Sequence, residues 1–120
     1  MNVEDFRLYC LSKPAVTESF PFDEVTLVFK VMNKMFAVTG LERETFQVNL
    51  KCKPEYALEL RDEYPDDIRA GWHMNKHHWN TVEFETGLSD ELLIHLIDHS
   101  YDMVVKGLKK ADREALKKLS

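Results

Sequence analysis

The histidines offer the most chemistry in this chain, and they fall into two groups. His73 and His77 stand four apart with His78 adjacent, and His95 and His99 repeat the four-residue spacing. On a helix this spacing puts two imidazoles on one face, as zinc sites require. No HExxH pattern completes either pair, and the stretch Ile68 to Val82 holds no acid to act as ligand or base. Its charged residues are Arg69 and Lys76, so His73, His77 and His78 read as donors to an anion, or as groups bonded to local backbone. His95 and His99 have Asp98 and Asp102 beside them, which predicts a solvated helix face steadied by His and Asp pairs. Cys10 and Cys52 lack CxxC spacing, and two cysteines make no disulfide framework. Cys10, among apolar residues, reads as a buried small hydrophobe, while Cys52 stays open. No GxSxG, P-loop or GxGxxG pattern occurs, so an enzymatic reading has no anchor residue, and neither a cofactor nor a resident metal is expected.

The elements that must position these groups are legible from periodicity. Asn2 can cap a helix from Val3, with Glu4 and Asp5 where the helix dipole favours acids, and Pro14 ends it. From Glu24 the period switches to two. Val25, Leu27, Phe29 and Val31 alternate with Thr26, Val28 and Lys30, and Asn33-Lys34 reads as a tight turn into Met35 to Thr39. A third strand sets Phe46, Val48 and Leu50 against Gln47, Asn49 and Lys51. Pro54 opens an amphipathic helix through Tyr64. Two strands, Ile68 to Met74 and Trp79 to Glu85, follow around a turn near Asn75 to His77. Ser89 caps a strongly amphipathic helix with a stripe at Leu93, Ile97, Tyr101 and Val104, and a basic helix from Lys109 to Leu119 closes the chain.

The expectation is one α+β domain over residues 1–120, in the order α-β3-α-β2-α before the basic terminal helix. Its antiparallel five-stranded sheet is expected to carry helices on one face and leave the other at least partly open. A chain of 120 residues that is 44% hydrophobic can bury one core. No segment approaches the ~20 apolar residues that span a bilayer, and no signal peptide is visible, which predicts a soluble cytoplasmic protein without a membrane partner.

The formal net charge of −5 is unevenly spread. Acids crowd Glu55 to Asp67, an ordinary solubilising ridge or a weak cation attractor, whereas the acid-free stretch and the terminal helix are basic. With Phe46, Val48 and Leu50 on the helix side, Asn49, Lys51, Trp79 and Thr81 fall on the open side. An exposed Trp79 beside Lys51 is the kind of aromatic platform that stacks bases, unless the indole packs against its own hairpin.

Several segments in one order resemble the MmcQ/YjbR family of small bacterial proteins. They are Asn49-Leu50-Lys51-Cys52, Gly71 to Val82 (GWHMNKHHWNTV) and Leu96 to Val105 (LIDHSYDMVV), with Cys10-Leu11-Ser12, Phe20-Pro21-Phe22 and Thr26 to Val31 in register. The resemblance implies a two-layer fold similar to type III secretion chaperones. It also implies a DNA-binding role through paired hairpin wings, here the Met32 to Met35 turn and the His73 to Trp79 turn. The contacts would be Lys34, Lys51, Arg69, His73, Asn75, Lys76 and Trp79, with lysines on phosphates and any base reading by Asn75 or Arg69. Lys53 stands where the family pattern has a capping acid, which removes a cap and adds charge beside Lys51. The rival reading is a protein-interaction or chaperone-like module that binds a protein partner, or a second copy, through the open sheet face. A third is a small-ligand or metal-binding protein, for which frataxin-like folds are a loose analogy to the acidic ridge.

Overall fold

The fold is taken from a computed structural model, which describes residues 1–119. Helix α1 spans Val3–Leu11, and Asn2 caps it by accepting from the Asp5 backbone N–H at 2.8 Å. Strands β1 (Val16–Ser19), β2 (Thr26–Val31), β3 (Lys34–Gly40) and β4 (Gln47–Lys51) follow. Helix α2 (Pro54–Glu63) leads to β5 (Ile68–Ala70) and β6 (Trp79–Glu83), and then to α3 (Asp90–Lys106) and α4 (Lys110–Lys117). Ser89 caps α3 from the Leu92 N–H, whereas Lys53 gives α2 no side-chain cap.

The sheet is antiparallel with six strands, in the order β1-β2-β3-β4-β6-β5. The sixth strand is β1, absent from the sequence expectation. Its Val-Thr-Glu-Ser run has no apolar alternation, because Glu18 faces the helices through an ion pair rather than a packed side chain. Arg7 of α1 donates to Glu18 from Nε at 2.7 Å and also from Nη2.

Two further differences have local causes. The β2–β3 turn is Met32-Asn33, one residue earlier than expected. Both residues have positive φ, 47° and 69°, the requirement of a two-residue type I′ hairpin, so Lys34 begins β3 opposite Val31. Strand β5 ends at Ala70 rather than Met74. Beyond it the Trp72 N–H turns away from the ladder and donates to Thr81 Oγ1 at 2.9 Å.

The core lies between the sheet and its helices. Phe6 of α1 meets Phe29, Phe46 and Phe84 with ring centroids 5.3, 5.6 and 5.3 Å away. Leu60 of α2, Leu93 and Ile97 of α3, and Leu116 of α4 join the same cluster. Among the described residues no helix is long and apolar enough to cross a membrane.

Candidate nucleic-acid interface

Antiparallel registry sorts the charges between the two ends of the sheet. At one end the Met32-Asn33 turn, Lys51 opposite Trp79, and the Gly71–His78 connection lie side by side. Lys30, Lys34, Lys51, Lys53, Lys76, His73, His77 and His78 therefore share that end. Gln47 opposite Glu83 marks the other end, together with Glu42 and Glu44 after β3, Asp66 and Asp67 before β5, and Asp90 at the start of α3. Among the described residues Lys30, Lys34, Lys51 and Lys76 enter no ion pair, and Lys53 has only the exposed Glu55 at 3.6 Å. These lysines thus form a local basic cluster in a chain of negative net charge.

The connection Gly71–His78 is fastened at several points. Gly71 N–H donates to Trp79 O at 2.8 Å, and Asn49 Nδ2 donates to Trp72 O at 2.9 Å. Thr81 Oγ1 also donates to Asn49 Oδ1, so a buried Asn and Thr pair on the sheet latches the loop. From α2, Arg61 donates through Nε to Asn80 Oδ1 at 2.7 Å and through Nη2 to Lys76 O and Trp79 O. Arg61 is thus a positioning residue for Lys76 that sequence reasoning missed. A lone arginine among Glu55, Glu59, Asp62 and Glu63 was the available signal.

The expected contacts divide. Lys34, Lys76 and His73 are exposed and Lys51 is half-buried, all at the basic end. Asn75 lies there too, but its Oδ1 accepts from the His77 N–H and shapes the turn. Arg69 does not join them: its Nη2 donates to Glu83 Oε2 at 2.7 Å, directing the guanidinium toward the acidic end. Trp79 is 8% exposed and cannot serve as a stacking platform. Trp72 is the exposed indole, at 47%, and the Arg43 guanidinium stacks over it with Cζ 3.4 Å from the ring centroid. The sheet face expected to be open is therefore covered at its centre by the Trp72 loop and Arg43, which weakens the premise of a bare docking face.

In the second histidine pair His95 is exposed, as expected, but His99 is engaged in the fold. His99 Nε2 accepts from the Lys53 N–H at 3.1 Å, tying α3 to the start of α2, and the Tyr56 ring packs edge-on to it. Burial, then His95, hold the His99 imidazole below its ordinary pKa. The unfolded chain therefore binds a proton here more readily than the folded one. The stability carried by neutral His99 is present above the ordinary histidine range, and acidification through that range removes it. Melting temperature is expected to fall between pH 7.5 and pH 5.5, and the fall to shrink in His99→Gln; equal falls would place the pH dependence elsewhere.

Asp98 is likewise engaged, accepting from Tyr9 Oη at 2.6 Å and pairing with Lys13 Nζ at 2.5 Å. Burial pushes the Cys10 thiol up to about 12 and the Cys52 thiol up to about 11, so neither is held as a thiolate nucleophile. Among the described residues no group of three or more His, Cys, Asp or Glu side chains is placed to hold a metal ion.

Comparison with known proteins agrees with this architecture. The family model described as YjbR matches residues 11–103. YjbR of Escherichia coli strain K12 is 33% identical over 119 residues, covering 99% of this chain and 100% of the relative. YbdF of Escherichia coli O157:H7 is 35% identical over 114 residues, covering 95% and 93%. A Deinococcus radiodurans crystal structure of the DUF419 domain superposes with a TM-score of 0.89 at 41% identity, over 97% of this chain and 88% of the other. A Pseudomonas syringae protein gives a TM-score of 0.73 at 26% identity, over 86% and 98%.

Proposed function

The chain belongs to the YjbR family, and from that premise we propose that it binds DNA through the basic end of its sheet. The observation that carries this reading is the gathering of Lys34, Lys51 and Lys76 at one end of the sheet, none of them in an ion pair among the described residues, with Glu42, Glu44, Asp66 and Asp67 at the other end. Unpaired lysines on a rigid sheet end and a latched loop keep their charge for phosphate, and each phosphate neutralised releases counterions. The acidic end opposes nonspecific wrapping and orients the molecule on the duplex. Lys30 and Lys53 extend the surface beyond the three principal lysines, and Arg61 fixes the loop that carries Lys76.

Base recognition is a minor component of this account. Of the two residues expected to read bases, Arg69 is committed to Glu83 and the Asn75 carbonyl to its own turn, which leaves the Asn75 amide for a base edge. The protein then recognises mainly the spacing of phosphates and acts as a non-enzymatic binding module in the cytoplasm.

The test is fluorescence anisotropy of a labelled duplex with the wild-type protein and a Lys34→Ala/Lys51→Ala/Lys76→Ala variant. Removing three phosphate-binding charges is expected to weaken binding on the order of 100-fold near 0.1 M salt. Unchanged affinity in a variant with unchanged melting temperature would reject the basic end as the DNA-binding surface.

A further inference from the structure

On the same side of the sheet as Trp72, but toward the acidic end, Glu83 is more than nine-tenths buried, its side chain 8% exposed. Its Oε2 accepts from Arg69, while its Oε1 is buried with no hydrogen-bond partner among the described residues. A carboxylate oxygen held in this way calls for a donor, and a cationic donor satisfies it best. The pocket it lines also contains Glu42, Glu44, Arg43 and Arg69, three carboxylates against two guanidiniums, with the Thr45 hydroxyl and Gln47 amide beside them.

Arg43 and Gln47 also line the adjoining pocket beneath Trp72, so the two pockets meet across the Arg43 side chain. Gly40 makes room for that side chain: a Cβ there would stand 3.3 Å from Arg43 Cγ. Arg43 then lays its guanidinium over the Trp72 indole, held in place by the Asn49 and Thr81 latch. The chain thus displays within itself a planar cation on a fixed indole, and the same Arg43 side chain lines the pocket that holds the unpartnered carboxylate oxygen.

We propose that this groove receives an arginine side chain from a partner polypeptide, with Arg43 as its internal stand-in. The incoming guanidinium takes the place of Arg43 on the Trp72 ring, and the displacement of Arg43 opens the enclosed Glu83 Oε1 to its donation. Lysine fits less well, since an ammonium cannot stack while donating in a fork. Free arginine also fits less well than a peptide residue, since its α-carboxylate would sit beside Glu42 and Glu44. The loop that carries Trp72 also carries Lys76, but the lining carboxylates prefer the opposite ligand charge and the test does not use the lysines, so either proposal can fail without the other.

The probe is Nα-acetyl-arginine N-methylamide, titrated into the intact protein while the Trp72 indole N–H is followed by NMR. A saturable shift is expected, stronger in Arg43→Ala because the internal competitor is gone, and weaker for the lysine analogue and for free arginine. Glu83→Gln is expected to reduce affinity about tenfold or more, and Trp72→Leu, at an exposed position, supplies a second arm, read on the Gln47 side-chain amide, if the Glu83 variant does not fold. No saturable shift in Arg43→Ala, or a shift indifferent to Glu83→Gln in a folded variant, would overturn the proposal. So would a short oligothymidine that perturbs Trp72 where the arginine amide does not, since that outcome makes the indole a base-stacking site.

Discussion

Replacing Phe6 by Ala is expected to cost the fold about 3–5 kcal/mol, the usual range for deleting a buried phenyl ring. Phe6 has no exposed surface and is the one ring of α1 in the cluster with Phe29, Phe46 and Phe84, meeting each of the three edge-on. These rings come from β2, the β4 entry and the β6 exit, so the Phe6 ring joins α1 to three separate segments of the sheet. Loss of the ring also loosens α1, whose Arg7 secures edge strand β1 through Glu18. Urea denaturation checks the effect: the midpoint falls while its slope is kept. A loss below about 1 kcal/mol would mean that α1 is not docked as described.

The second large effect is expected at Gly71. A Cβ there would stand 2.7 Å from Trp79 Cβ and 2.9 Å from Trp79 O, and the carbonyl is backbone that cannot rotate aside. The same carbonyl accepts the Gly71 N–H. Gly71→Ala therefore pushes β5 from β6 where the loop begins, at about 1–3 kcal/mol for the strain. It also displaces Trp72 and Lys76 together, so DNA affinity is expected to fall even with Lys34 and Lys51 intact. Hydrogen exchange at the Trp72 amide, which bonds Thr81 Oγ1, should accelerate more than exchange at β4 amides. Uniform acceleration would signal global destabilisation rather than a released loop.

How far the sequence specified this structure depends on how local each signal is. The caps at Asn2 and Ser89 and the Pro54 helix start are set by residues a few positions apart and appear as expected, and Phe46, Val48 and Leu50 of the β4 segment reach the core, although Asn49 between them is buried too. Strand β1 escaped because its stabilising interaction is an ion pair to another element, which periodicity does not register. The hairpin turn shifted by one residue because Met32 adopts a left-handed conformation that its type disfavours, and the register with β2 requires it.

The candidate interface was legible in composition and not in side-chain pairing. The acid-free stretch does place Lys76 and the histidines beside Lys51, because strand order brings β6 next to β4. Which cations remain unpaired depended on residues far apart in sequence: Glu83 takes Arg69, and Arg61 supports the Lys76 loop. The exchange of roles between Trp79 and Trp72 has the same origin. Alternation places Trp79 on a strand face but does not register how deeply its side chain is buried, nor that the Gly71–His78 loop presents Trp72 instead.

The most direct test of the central claim is the salt dependence of duplex binding, measured by anisotropy across a potassium chloride series for wild type and the Lys34, Lys51 and Lys76 triple alanine variant. A linear fall of log K with log salt concentration is expected, with a slope smaller by about 2.7 in the variant, because each of the three lysines neutralises one phosphate. Equal slopes for the two proteins, or no binding by wild type at low salt, would contradict it.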